Sequence, residues 1–294
     1  MNARLSSPEG PWLRILGSSG GCPGPGRACS GYLVGDEHTR LLLDCGPGVV
    51  SVLRSVEDYA RIDGIILSHM HPDHYLDLVP YSYGLMMDLV SSGEGEPIPL
   101  YLPPGGSATL GSLDAALGHA GWELPDDGRF GPGCPALARR FRESGGLLQA
   151  IFAVREYLPG DEFELGGFRL SFHPVDHTVE AFGMRVRCGG GVLAYSGDTR
   201  AFPGLVEMAD GADILLCDST VSRSDNTTFG GHMSAAEAGR VAEEAGVKRL
   251  ILTHVYGEGQ RRELLRREAS GCFAGPVEVA TETALYAIAP AAVR

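Results

Sequence analysis

The 294-residue sequence predicts an α/β fold in which two sheets pack face to face with helices outside. Three observations carry this: apolar runs of strand length in both halves, helical spacing in each half, and no repeat of solenoid period. α/β units of this length commonly stay undivided, so a single domain over residues 1–294 is expected.

Trp12 to Leu16, Gly31 to Val34 and Arg40 to Asp44 are apolar runs bounded by Gly, Pro or Asp, and read as strands at one sheet edge. Gly46 to Ser55 reads as a helix, Gly64 to Ser68 as a buried strand, and Leu76 to Leu89 as a second helix. A strand therefore ends just before His69, and a helix begins just after His74. From Pro103 to Gly160 periodicity degrades, with Gly-Pro clusters at Pro103 to Gly106 and Gly128 to Pro135. An elaborated loop with helices is expected at about 103–160, acting as a lid over the site. Strands resume at Phe168 to Phe172, Gly183 to Cys188, Val192 to Ser196 and Ile214 to Cys217. A helix, Ser234 to Ala245, and the strand Arg249 to Thr253 follow.

The hydrophobic share of 44% and charged share of 21% favour neither disorder nor a membrane class. A formal net charge of −13 gives a far field that repels polyanions, although metal ions in a local site could still attract a phosphate. Long nucleic acid is disfavoured as a partner; a small-molecule substrate is favoured, and a homodimer is left open. Seven scattered cysteines without a CxxC pair read as free thiols of a reducing compartment, so a cytoplasmic location is expected. Met1 to Pro11 has no apolar signal core, and no apolar run is long enough to span a bilayer.

Ser68-His69-Met70-His71-Pro72-Asp73-His74 concentrates three imidazoles and a carboxylate at a strand-to-helix junction. His69 and His71 share a direction by strand alternation, while Asp73 and His74 enter from the turn and first helical residues. This mix of nitrogen and oxygen donors suits borderline divalent ions: Zn2+ first, with Mn2+ or Fe2+ as alternatives.

On this HxHxDH segment the chain resembles the metallo-β-lactamase superfamily, whose motifs follow in order along almost the whole sequence. Leu42-Leu43-Asp44-Cys45-Gly46 resembles the strand and turn before that loop, and His177 in His173-Pro174-Val175-Asp176-His177 matches the third histidine position. Gly183 and Arg185, then Tyr195-Ser196-Gly197-Asp198-Thr199, resemble the ribonuclease Z branch; Leu250-Ile251-Leu252-Thr253-His254 supplies the last histidine. The resemblance implies a four-layer αββα sandwich of two mixed sheets. It also implies two divalent ions, one on His69, His71 and His177, the other on Asp73, His74 and His254, with Asp198 and a hydroxide between them.

Ordinary readings compete. His173 is an alternative to His177, though the Gly183 and Arg185 register favours His177. Asp198 could merely cap a turn. Asp44 is expected outside the ligand set, accepting a hydrogen bond that fixes the histidine loop. His38 and His119 have no motif around them and read as surface residues.

Two ions sharing a carboxylate, about 3.5–4 Å apart, lower the pKa of a bridging water and stabilise both oxygens of an in-line displacement. Phosphodiester hydrolysis is the natural use, with Asp73 orienting or deprotonating the hydroxide as well as holding metal. The leaving alkoxide needs a proton. Ribonuclease Z relatives use the carboxylate of a His-Glu-Ala-Thr motif paired with a later histidine. The corresponding residues here are Cys217-Asp218-Ser219-Thr220 and His232, with the shorter Asp218 in place of glutamate. A carboxylate beside an imidazole favours the imidazolium, a suitable general acid. The competing reading has His232 simply preceding a helix capped by Ser234.

True ribonuclease Z carries a Gly/Pro-rich arm between its third histidine and its GDT motif. Here that interval has room only for a hairpin, Phe182 to Ser196, turning at Gly189-Gly190-Gly191. The chain is more similar to the atypical, actinobacterial-type cyclic-nucleotide phosphodiesterases, through Gly17-Ser18-Ser19-Gly20, Ser30-Gly31-Tyr32-Leu33, Ser196-Gly197-Asp198-Thr199 and the block Leu216 to Val277. The Gly17 to Gly21 loop offers backbone N–H groups to substrate or is a simple turn. A small-molecule phosphodiesterase is thus expected. The alternatives are a ribonuclease Z-like RNA endonuclease, a lactonase or thioesterase type of carbonyl hydrolase, and a non-catalytic scaffold.

Overall fold

The structure is a computed structural model that describes residues 9–120, 122–123, 125–222 and 230–288. Met1 to Pro8 of the stretch read for an export signal lie outside it.

Strands β1 (Trp12–Gly17), β2 (Gly31–Gly35) and β3 (Arg40–Leu43) lead through helix α1 (Val49–Val56) to β4 (Gly64–Ile66). Helices α2 (Pro72–Tyr75) and α3 (Leu78–Ser92) precede β5 (Ile98–Leu102); α4 (Gly106–Ala116), α5 (Cys134–Ser144) and α6 (Leu147–Ile151) precede β6 (Phe152–Glu156). The second half runs β7 (Glu162–Leu165), β8 (Phe168–Pro174), β9 (Phe182–Cys188), β10 (Gly191–Tyr195), α7 (Pro203–Ala209), β11 (Ile214–Asp218), α8 (Ala235–Glu244), β12 (Leu250–Thr253), α9 (Gln260–Ser270), β13 (Val277–Val279) and β14 (Leu285–Ala287).

Among the described residues two sheets form, ordered β14-β1-β2-β3-β4-β5-β6 and β13-β12-β11-β10-β9-β8-β7. Both are mixed. β14, β1, β2 and β3 pair antiparallel and β3 to β6 parallel; β7 to β10 pair antiparallel and β10 to β13 parallel. β14 covers β1, so the first three strands are not at an edge as their sequence suggested.

Strand alternation explains the four layers. Leu13, Ile15, Tyr32, Leu41 and Leu43 point between the sheets, meeting Phe168, Phe172, Phe182, Leu216 and Ile251. Trp12, Leu16, Leu33 and Leu42 point the other way, under α1, α3 and α4 to α6. Leu215, Cys217, Leu250 and Leu252 do the same beneath α7, α8 and α9. Strands buried on both faces read as continuous apolar runs, the pattern seen in the sequence.

Helical boundaries shift for local reasons. α1 starts at Val49 rather than Gly46 because Gly48 has φ 93°, and a Cβ at Gly46 would come 1.9 Å from the carbonyl oxygen of Asp73. The 103–160 segment carries α4, α5, α6 and the sheet strand β6, and its Leu137, Phe141, Leu147 and Leu148 are buried in the core.

His119 corrects the surface reading: it is buried, its Nδ1 3.0 Å from Asp114 Oδ1 and its Nε2 2.8 Å from the Tyr83 hydroxyl. Asp114 also accepts from the Leu148 N–H, so the cluster pins α4 to α6. His38 is exposed as expected. Cys22, Cys29, Cys45, Cys134, Cys188 and Cys217 carry free thiols. No helix of the described residues is long and apolar enough to cross a membrane.

Candidate metal centre and acid pair

The site sits at the carboxyl ends of parallel strands, where open α/β sheets characteristically place ligands. β3 runs into Asp44, β4 into Ser68 and His69, β10 into Ser196 to Asp198, β11 ends on Asp218, and β12 runs into His254. The sheet registers bring the two halves together, and His69 pairs with Ala181 in an isolated bridge between them.

One cluster contains His69, His71, His177 and Asp198; a second contains Asp73, His74 and His254. Asp198 Oδ2 lies 3.6 Å from His69 Nε2, 3.9 Å from His177 Nε2, and 3.3 Å from both His74 Nε2 and His254 Nε2. A single buried oxygen therefore faces both ligand sets. The contacts of its carboxylate among the described residues are to imidazoles, which removes support for the turn-capping alternative. His173 points away, its Nε2 3.0 Å from Ser171 Oγ, so His177 is the histidine at the site. Gly183 and Arg185 act structurally: Arg185 donates to the carbonyls of Met208 and Asp210 at 2.6 and 2.8 Å, holding the end of α7.

Outer partners decide which nitrogen each imidazole presents. Asp44, at φ 58°, accepts from the Ser68 N–H at 2.7 Å, the Ser68 hydroxyl at 2.8 Å and the Tyr195 hydroxyl at 2.6 Å, while its Oδ2 lies 2.8 Å from His74 Nδ1. It is the loop-fixing acceptor expected. His69 Nδ1 faces the Ser68 hydroxyl oxygen at 3.0 Å, and His177 Nδ1 donates to the Gly231 carbonyl at 2.7 Å. Each arrangement leaves Nε2 bare. His69 Nε2 and His177 Nε2 each lie 3.1 Å from His71 Nδ1, where one ring proton can serve only one of them. Among the described residues His74 Nε2 is buried without a well-aligned hydrogen bond, its nearest acceptor being Asp198 Oδ2 at 3.3 Å. Converging bare nitrogens, an orphaned buried one and a shared carboxylate fit divalent cations.

The charge states divide between the two sets: the first is already in its ligating form, while the second would release protons as a cation binds. Burial, reinforced by the neighbouring imidazoles, holds His69, His71 and His177 below the usual histidine range and hence neutral, the ligating form. Burial opposes charge on His74 and His254 too, but Asp198 and the other carboxylates beside them prevail and raise both. Asp73 and Asp198 resist burial through those imidazoles and stay ionised.

Asp218, His232, His254 and Asp198 also lie close together. His232 Nδ1 is 2.7 Å from Asp218 Oδ2, and Asp218 Oδ1 accepts from the Thr220 hydroxyl at 2.8 Å, so this pair is committed to itself rather than to a cation. The shorter aspartate does reach its histidine. Burial disfavours the imidazolium of His232, but the bond to Asp218 and its charge outweigh that and raise its pKa. Its ring stacks at 5.0 Å on His254 and meets His177 edge-on at 5.0 Å, so it overlooks both ligand sets. Ser234 does cap α8, through a capping box with Glu237, but His232 lies two residues earlier and faces the site.

The glycine loop is used internally. Ser18 and Ser19 N–H groups donate to the Ala28 carbonyl, and the Gly21 N–H donates to Asp73 Oδ2 at 2.7 Å, so these amides are not free for substrate. Sequence reasoning missed Tyr195, Gly21, Gly231 and Thr220 as partners of the site. Tyr195 alone had a signal, being a polar group inside a strand that is otherwise apolar.

The family described as beta-lactamase superfamily domain matches residues 39–114 and 133–255. The chain belongs to this family. An uncharacterized protein of Mycobacterium tuberculosis is 34% identical over 267 residues, covering 90% of this chain and 88% of its own. Ribonuclease Z of Halorubrum lacusprofundi is 30% identical over 291 residues, covering 90% and 92%. The crystal structure of the metallo-beta-lactamase fold protein YhfI of Bacillus subtilis superposes with a TM-score of 0.79 at 25% identity, covering 95% of this chain and 99% of that one. The span matching the beta-lactamase superfamily domain contains all seven candidate ligands together with Asp218 and His232.

Proposed function

We propose that the chain is a dinuclear metal-dependent hydrolase acting on small phosphodiesters, with 3′,5′-cyclic nucleotides as the favoured substrate class. The observation that carries this is the pairing of a seven-residue ligand set around one shared carboxylate with an acid pair, Asp218 and His232, overlooking both halves. Bound divalent ions would activate water and neutralise charge on the phosphoryl oxygens. His69, His71, His177 and Asp198 would hold one, and Asp73, His74, His254 and Asp198 the other. Asp44, Ser68 and Gly231 orient the imidazoles, and the Gly21 N–H fixes Asp73. His232, kept cationic by Asp218, supplies a proton to a basic leaving oxygen; carbonyl substrates such as lactones have less need of one.

Zinc is the ion this donor mix suits. After dialysis in metal-supplemented buffer, mass-spectrometric analysis is expected to find close to two ions per chain. One ion or fewer at saturation refutes the dinuclear arrangement.

Between His177 and Asp198 the backbone makes only the β9–β10 hairpin, with Gly189 and Gly190 at φ 52° and 84° in its turn. No protruding arm is present in that described interval, and the net charge of −13 disfavours polyanion approach. The purified protein should therefore hydrolyse cyclic AMP and leave a tRNA precursor uncut. Efficient 3′ trimming of the precursor at moderate salt, with cyclic nucleotides untouched, would move the assignment to the ribonuclease.

A further inference from the structure

Thr220 joins the two parts of the site and belongs to neither. It follows β11, two residues beyond Asp218, and the pairing of Asp218 with Thr253 brings it against His254. Its Oγ1 lies 2.7 Å from His254 Nδ1, 2.8 Å from Asp218 Oδ1 and 2.9 Å from the His254 carbonyl oxygen, and its N–H donates to Asp218 Oδ1 at 3.0 Å. A hydroxyl has one proton to give and two lone pairs. The proton goes to the Asp218 carboxylate or the His254 carbonyl; a lone pair accepts from His254 Nδ1–H. In that tautomer the lone pair falls on His254 Nε2, which lies within hydrogen-bond distance of Asp73 Oδ2 at 3.0 Å and 3.3 Å from Asp198 Oδ2, facing the second ligand set.

Two further features make this contact hard to replace. His254 has φ 54°, a left-handed conformation uncommon for a residue with a side chain, and the Thr220 hydroxyl touches the carbonyl of that same residue. On the other side, a Cβ at Gly20 would come 2.7 Å from His254 Nδ1, so a side chain at position 20 could not take the place of the hydroxyl without a shift.

We propose that Thr220 is a positioning residue: its hydroxyl selects the nitrogen that His254 presents to the second ion and, through Asp218, fixes the orientation of His232. The inference rests on the dinuclear reading above. Partners that set a ligand's tautomer are typically worth about 10–100-fold in metal affinity.

The test compares Thr220→Val, which keeps the shape and removes the hydroxyl, with Thr220→Ser, which keeps the hydroxyl and removes the methyl. Apo proteins, first compared by thermal unfolding, are titrated with Zn2+ against a chromophoric chelator. The valine variant should bind the weaker Zn2+ about 10–100-fold less tightly, with the serine variant near wild type. Valine should also slow cyclic AMP more than bis(4-nitrophenyl) phosphate, because the acid is disoriented. Wild-type zinc affinity in the valine variant overturns the proposal, as does a serine variant as impaired as valine, which would make the methyl packing decisive. Should the wild-type protein bind only one Zn2+, the dinuclear reading falls by itself. The Thr220 inference is then decided by whether valine loses, and serine keeps, affinity for that one ion.

Discussion

Asp198→Ala should lower phosphodiester turnover by about a thousandfold or more while leaving the fold in place. Charge stabilisation by metal ions is worth several kcal/mol, and each 1.36 kcal/mol is tenfold in rate. Asp198 Oδ2 is the atom common to both ligand sets, within 3.3 Å of His74 and His254 and 3.6 Å of His69. Removing it takes the one anionic donor common to both sets away from His69, His74 and His254, so both ion binding and activity fall together. The fold survives because β10 is held by its ladders to β9 and β11, which use backbone groups alone. Circular dichroism, metal content and turnover are measured on one preparation. Wild-type-like turnover excludes the shared-carboxylate role; a collapsed fold with bound metal would return Asp198 to a structural part.

What was legible in the sequence follows from how far apart partners lie along the chain. His69, His71, Asp73 and His74 fall within six residues at the end of a buried strand, so one short segment announces both the chemistry and the local structure. His177, Asp198 and His254 lie more than a hundred residues beyond that segment, and only the ordered motifs of a known family tied them to the first four. The structure supplies the physical reason: each follows or interrupts a strand whose register delivers it to the same end of the sandwich.

The missed elements are those whose own pattern is ambiguous. Ile98–Leu102 has a proline inside it and follows a polar stretch, yet it is a buried parallel strand, because tertiary packing between β4 and β6 decides it. α9 is strongly polar, with only Leu265 and Ala269 buried, so helical periodicity of apolar residues is faint there. His119 looked like a surface residue since Asp114 is five positions away and Tyr83 thirty-six; its partners come together only when the turn after α4 meets Tyr83 of α3. Thr220 and the Gly231 carbonyl were illegible for the same reason. A hydroxyl 34 residues from its imidazole carries no local signal, and a backbone carbonyl carries none at all.

His232→Ala is expected to slow cyclic AMP hydrolysis by about 10²–10⁴-fold, the usual worth of general acid catalysis, and a nitrophenyl phosphodiester far less. The contrast comes from the leaving groups. A ribose alkoxide is strongly basic and departs only with a proton; a nitrophenolate leaves unaided. His232 has its Nδ1 engaged by Asp218 Oδ2 at 2.7 Å, so Nε2 carries the proton to be donated. The side chain keeps 15% of its exposure while Asp218 is fully buried, which places the donor at the open face and its counter-charge behind it. Asp218→Asn should show the same bias in milder form, since the amide preserves a hydrogen bond but removes the charge that raises the imidazole pKa. A purely structural His232 would lower both rates together, because a distorted site handles every substrate badly. The ratio of the two losses, measured in one mutant preparation at full metal occupancy, therefore separates the roles. Equal losses would count against His232 as the acid and leave it as the residue that leads into the Ser234 cap of α8.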